Sequence, residues 1–113
     1  MKLHQGDVLL SKVEGLPDLG ACTIRKDGCV AVGEFSGHAH RFSEPERVKL
    51  FVVPGAKLTP ADVGVRYLEV TGAEPVLLRH EEHDPVAVPP GLYTVRFPHE
   101  WDYEREESRL VAD

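Results

Sequence analysis

Residues 75–91 read Pro75-Val76-Leu77-Leu78-Arg79-His80-Glu81-Glu82-His83-Asp84-Pro85-Val86-Ala87-Val88-Pro89-Pro90-Gly91 (PVLLRHEEHDPVAVPPG). Two short aliphatic runs are cut off by Asp-Pro and by Pro-Pro-Gly, before either reaches the roughly ten residues at which a helix becomes the better reading. Both runs therefore read as strands, at 75–80 and 86–88. Along the first, Val76, Leu78 and His80 fall on one face, so His80 prolongs an apolar row that belongs to the interior. His83 lies three residues further and faces the other way on a regular strand, so the turn after His80 has to bring it back.

Outward from this stretch the same grammar covers the chain. Strands are expected at 7–13, 21–26, 29–36, 38–43, 47–53, 65–70 and 92–97. Gly15–Gly20 reads as a loop, Asp27-Gly28 as the two-residue turn of a hairpin, Pro54-Gly55 as a turn and Pro89-Pro90-Gly91 as a tight reversal. A single helical turn is expected at Thr59-Pro60-Ala61-Asp62, with a capping hydroxyl and a proline at the first helical position. Residues 102–113 read as a short C-terminal helix or an extended tail with a solvated acidic face. The fold class is all-β: one domain over residues 1–113, a small antiparallel barrel or two-layer sandwich with at most one or two short helical turns.

The 113-residue length suits one domain with a real core, and 42% hydrophobic with 28% charged residues argues against disorder. No apolar run approaches the roughly 20 residues of a membrane helix, and MKLHQGDVLL lacks a signal-peptide core, so a cytoplasmic location without membrane contact is expected. Nineteen acidic against thirteen basic residues give a net charge of −6, which disfavours nucleic acid as a partner. Cys22 and Cys29 lack a CxxC spacing. In the expected hairpin Lys26 faces Cys29 and Cys22 lies opposite Gly33, a register that argues against a disulfide between them.

Four of the six histidines fall in two tight pairs, His38/His40 in GHAHRF and His80/His83 in RHEEH. Residues two apart on a strand share a face, so His38 and His40 project together. Two imidazoles joined by one or two more from a neighbouring segment suit a borderline divalent ion, zinc first, with iron, nickel or manganese as alternatives. Because neutral imidazoles leave the ion's charge uncompensated, such an ion can polarise a water or a substrate oxygen for hydrolysis. Glu44, Glu81 and Glu82 are the carboxylates placed to complete the site or act as a base. Without a metal, one imidazole as base and another as acid would form a phosphodiesterase or nuclease pair, with Arg41 or Arg79 holding the anion of a phosphate-containing substrate. A third reading is a non-catalytic module whose histidines meet a partner or a small anion. His4 and His99 stand alone and read as ordinary hydrogen-bonded residues. Trp101 reads as packing, and open edge strands together with the His99–Tyr103 segment suggest a homodimer.

Gly33, His38-Ala39-His40 and Glu44 resemble the first cupin motif, which binds metal inside a β-barrel. Pro89-Pro90-Gly91 resembles the P-x-G of the second. Here the first glycine is one residue nearer the histidines, and Thr94 stands where the second motif carries a histidine. The succession QGDVLL, GHAH, RHEEH, PPGLYTV and RLVAD resembles a family of small uncharacterised bacterial proteins with GHAH, HEEH and PPGxY elements. That resemblance implies a soluble bacterial domain in which the two histidine elements recur together, and it brings no activity with it. The ending VRFPHEWDYEREESRLVAD departs from the VxRQREY-type ending of that family. Together these readings give a metal centre of His38, His40, His80 and His83 near one end of the barrel, with Glu81, Glu82 and Arg41 as catalytic candidates acting on a small-molecule substrate.

Overall fold

The computed structural model describes residues 1–6, 8–15, 19–20, 22–32, 38–53, 58–59 and 62–96, without the side chains of residues 58–59 and 62–63. The strands are β1 (Lys2–Gln5), β2 (Val8–Lys12), β3 (Thr23–Arg25), β4 (Cys29–Val32), β5 (Ala39–Phe42), β6 (Val48–Val52), β7 (Leu58–Thr59), β8 (Asp62–Val63), β9 (Val65–Val70), β10 (Val76–Arg79), β11 (Val86–Val88) and β12 (Gly91–Arg96). A six-stranded sheet has the order β1-β2-β12-β9-β6-β3, and a four-stranded sheet the order β11-β10-β5-β4. Strands β7 and β8 form a small pair of their own. Every pairing among the described residues is antiparallel.

The strand period of two explains how the sheets face each other. Val8 and Leu10 of β2, Val48, Leu50 and Val52 of β6, and Tyr93 and Val95 of β12 alternate inward from the larger sheet. Val30, Phe42, Val76, Leu78 and Val88 do so from the smaller sheet, and all join one buried cluster. The molecule is thus a two-layer antiparallel sandwich, the second of the two architectures expected. Tyr93 is fully buried, and its hydroxyl satisfies itself by donating to the Pro89 carbonyl at 2.6 Å. Burial raises the pKa of that phenol above its ordinary value.

Three expectations need correction. Asp27-Gly28 does not close a hairpin, because β3 pairs with β6 in the large sheet while β4 pairs with β5 in the small one. Gly28 adopts φ 72° and the Asp27 carboxylate accepts the Cys29 N–H at 3.0 Å, so the dipeptide turns the chain from one layer to the other. Both cysteines are free thiols, although the hairpin register invoked against a disulfide is absent.

Thr59 and Asp62 lie in the paired strands β7 and β8 and not in a helical turn. Threonine, proline and aspartate serve turns as readily as caps, and so short a segment cannot offset the cost of helix nucleation. Among the described residues, a 3-10 turn occurs at Pro45–Arg47, again with proline at its start. Pro89-Pro90-Gly91 leads from β11 in the small sheet to β12 in the large one. Strand β1 was not anticipated. The expected helix or tail at 102–113 and the residues His99, Trp101 and Tyr103 lie outside the described residues, as do residues 33–37.

Candidate metal centre

The two histidine elements meet because β5 and β10 are antiparallel neighbours. Leu78 pairs with Phe42 and Arg79 with Arg41. Continuing that register past the strand ends sets His80 opposite His40, Glu81 opposite Ala39 and Glu82 opposite His38. The side chains agree with each of these juxtapositions. The His40 and His80 rings lie 4.4 Å apart between centroids, the Ala39 N–H donates to Glu81 Oε2 at 2.9 Å, and His38 Nδ1 lies 3.3 Å from Glu82 Oε1. Sequence elements 40 residues apart therefore face each other position by position.

The four imidazoles form a chain of contacts. Centroid separations are 5.7 Å for His38–His80, 4.6 Å for His80–His83 and 6.2 Å for the nearly parallel His40–His83 pair. His40 is buried, His38 and His80 are half-buried, and His83 is exposed. The turn after β10 does bring His83 back beside His80. Among the described residues, one group has metal-capable donor atoms all within 4.8 Å of one another: His38, His80 and Glu81. His40 and His83 wall this group without belonging to it.

For His40, His38 and His80, polar contacts bear on which ring nitrogen is the acceptor. Gln5 Nε2 donates to the carbonyls of Leu78 at 2.7 Å and Asp84 at 2.9 Å, which leaves its Oε1 to face His40 Nδ1 at 2.9 Å. A carbonyl oxygen accepts only, so Nδ1 of His40 carries the hydrogen and the neutral ring holds its lone pair on Nε2. A neutral His38 that donates from Nδ1 to Glu82 likewise presents Nε2, the arrangement in which a carboxylate orients a ligating histidine. His80 is the reverse: its Nδ1 accepts the Glu82 backbone N–H at 3.1 Å, so its neutral form carries the hydrogen on Nε2. Ligation by His80 thus displaces that backbone hydrogen bond or reverses the tautomer.

The pKa directions favour ligand forms. Burial lowers His80 first, the neighbouring His40 and His83 lower it further, and Glu81 opposes them. The hydrogen bond from Ala39 N–H holds the Glu81 carboxyl below its ordinary value, so this exposed group stays an anion.

The other candidates are placed elsewhere. Arg41 is exposed on the face of β5 opposite to His40 and stands beside the exposed Arg79. Glu44 lies 3.4 Å from the Arg47 guanidinium, which also donates to the carbonyls of Thr71 and Glu74. His4 is exposed on β1, opposite Leu9 of β2.

A family model described as a domain of unknown function, DUF8820, matches residues 4–97. The chain belongs to the DUF8820 family. No curated protein and no solved structure matches it. The matched span of this DUF8820 domain includes both histidine elements, and it begins in β1, whose last residue and following turn supply two residues that no sequence motif marks as part of the site. Gln5, 3% exposed, reaches from the large sheet to grip β10 and His40. Gly6, at φ 58°, lies so close beneath His83 that a Cβ there would sit 2.6 Å from Nε2. The available signal was the QG dipeptide closing the β1–β2 hairpin, but glutamine before glycine reads as an ordinary turn.

Proposed function

We propose that this DUF8820 domain binds a zinc-like divalent cation through His38, His80 and Glu81, and uses the remaining coordination position to polarise water or a substrate oxygen for hydrolysis. The observation that carries this reading is the mutual 4.8 Å limit on the three donor atoms. Tetrahedral bonds of about 2.0–2.1 Å place ligand atoms about 3.4 Å apart, so no separation in the group has to contract by more than about 1.4 Å. Side-chain rotation supplies that movement, since His80 is half-buried and Glu81 exposed. Two histidines with one carboxylate are a recognised zinc hydrolase set and also the set of non-haem iron, with open positions left for chemistry in both. Support also comes from the surroundings: Glu82 beside His38 and the Ala39 N–H on Glu81 act as outer partners that hold ligands in place.

The metal-independent phosphodiesterase reading draws less support. Arg41 and Arg79 sit on the outer face of the sheet, whereas Glu81 and Glu82 flank the histidines and repel a phosphate. Metal content is the test. Untagged protein prepared without chelator should carry close to one divalent ion per chain, with zinc or iron identified by elemental analysis, and His38→Ala and His80→Ala should lose it. Folded wild-type protein that contains no metal and takes up no added zinc would refute the proposal.

A further inference from the structure

We propose that Arg41 and Arg79, on the outer face of the small sheet, form a binding site for a phosphoryl dianion, the head group of a phosphate monoester whose organic part lies along Leu77 and Ala87. The site is separate from the histidine cluster and does not depend on the metal-site reading. Its starting point is a charge pairing that sheets ordinarily avoid. Arg41 of β5 and Arg79 of β10 are direct partners in the antiparallel register. Direct partners have Cβ atoms about 4.5–5.5 Å apart, and like charges placed so repel each other.

Elsewhere among the described residues, opposite charges meet. On the large sheet Lys49 of β6 is partnered by Glu69 of β9. Arg25 lies 3.2 Å from Asp27, and Arg47 lies 3.4 Å from Glu44. By contrast, the guanidiniums of Arg41 and Arg79 have no hydrogen-bond or ion-pair partner among the described residues, and both side chains are exposed. The acids nearest to Arg79 in sequence are turned to other uses: Glu81 accepts the Ala39 N–H at 2.9 Å, and Glu82 lies 3.3 Å from His38. A chain with nineteen acids and thirteen bases thus leaves two cations side by side on one sheet face. An anion from outside supplies the charge that the fold withholds.

Charge balance and shape select the ligand. Two guanidiniums carry two positive charges, and a phosphate monoester carries close to two negative ones above its second pKa of about 6. Each planar fork offers two parallel N–H bonds to phosphoryl oxygens, and two long stems from neighbouring strands reach a group seated between them. A carboxylate balances only one of the two charges. Leu77 stands two residues before Arg79 and so shares its face. It is half-buried, and its partner on β11 is the exposed Ala87. On its other side lies the exposed Ser43, whose N–H donates to the Leu77 carbonyl at 2.9 Å. This strip suits a small organic group, whereas the net charge of −6 disfavours a polyanion such as nucleic acid.

Titration of the full-length chain with phenylphosphonate, in chelator, tests the proposal. The probe carries the dianion on an apolar ring through a P–C bond that a hydrolytic site does not cut, and no ion is present to capture it. Nitrogen-15 NMR should show shifts at the Nε–H groups of Arg41 and Arg79 and at the amides of Leu77 and Ala87, with the His38 and His80 rings unmoved. Benzoate should bind about tenfold more weakly, and Arg41→Gln and Arg79→Gln should each weaken phenylphosphonate binding by about tenfold. Arg79→Glu is the sharper variant. It creates a cross-strand pair like that of Lys49 with Glu69, and should raise the urea midpoint while abolishing phenylphosphonate binding. No shift at either arginine, benzoate binding as tight as phenylphosphonate, or binding retained in Arg79→Glu overturns the proposal. A midpoint that Arg79→Glu leaves unchanged or lowers removes the repulsion from which the site was inferred. Because the assay contains no metal, its outcome is independent of whether the histidine cluster takes up zinc.

Discussion

His80 is where the chemistry of the site is decided. Its proton affinity falls below the ordinary histidine value of 6.5 through burial and the neighbouring imidazoles. Between that lowered value and 6.5 the unfolded chain binds more protons than the folded one, so folding stability rises with pH through this window. Acidification reverses the gain, and stability falls as pH drops below 6.5. Glu81 acts further down the scale. Its carboxyl is held below 4.5, so the stability it contributes is full above 4.5 and is lost as pH falls through its lowered value. The urea midpoint of the metal-free protein should therefore fall from neutrality to about pH 5, and His80→Gln should flatten this slope while leaving the steeper acid limb. A wild-type midpoint that does not change over that range would contradict the electrostatics described for the cluster. The histidine pairs were legible in the sequence by their spacing, although of the four only His40 falls within a strand. Gln5 was not, because a buried glutamine looks like a surface residue until its three partners are seen.

The strands explain why two distant motifs make one site. Strand β10 keeps the apolar row of Val76 and Leu78 facing the core, and its antiparallel register with β5 carries RHEEH across GHAH. The alternation of the row was readable, and so were nine of the strands within a few residues at each end. Which strands pair was not, because Asp27-Gly28 and Pro89-Pro90-Gly91 carry the same turn signals whether the chain stays in one sheet or crosses to the other. Strand β1 escaped notice because its inward position after Leu3 is Gln5, which breaks the apolar alternation that marks a strand. The β1–β2 turn gives a prediction of its own. Gly6→Ala forces an L-residue into φ 58° and drives a methyl group toward the His83 ring, at a cost of about 1–2 kcal/mol from the backbone alone. Denaturant unfolding should show that loss, and ring NMR signals of His83 should move more than those of His38. Unchanged stability would mean that the turn tolerates a side chain and does not brace His83.

The sandwich as a whole turns these local features into a site at one end of the molecule. The β1–β2 hairpin of the large sheet closes over the β10–β11 connection of the small one, with Gln5 bonded to both Leu78 and Asp84 and Gly6 beneath His83. Layer architecture was predictable from short, alternating strands, but the contact between these two ends required the three-dimensional order of the sheets. Among the described residues, no helix is long and apolar enough to cross a membrane. The proposed ion would sit where the two layers meet, held by β5 and the end of β10 and backed by β1. Zinc-edge X-ray absorption of the zinc-loaded protein tests that claim most directly. Outer-shell scattering from two imidazoles together with oxygen ligands at about 2.0–2.2 Å is expected, with loss of one imidazole in His38→Ala. A spectrum of hydrated zinc with oxygen scatterers alone, or one with two imidazoles unchanged by His38→Ala, would contradict it.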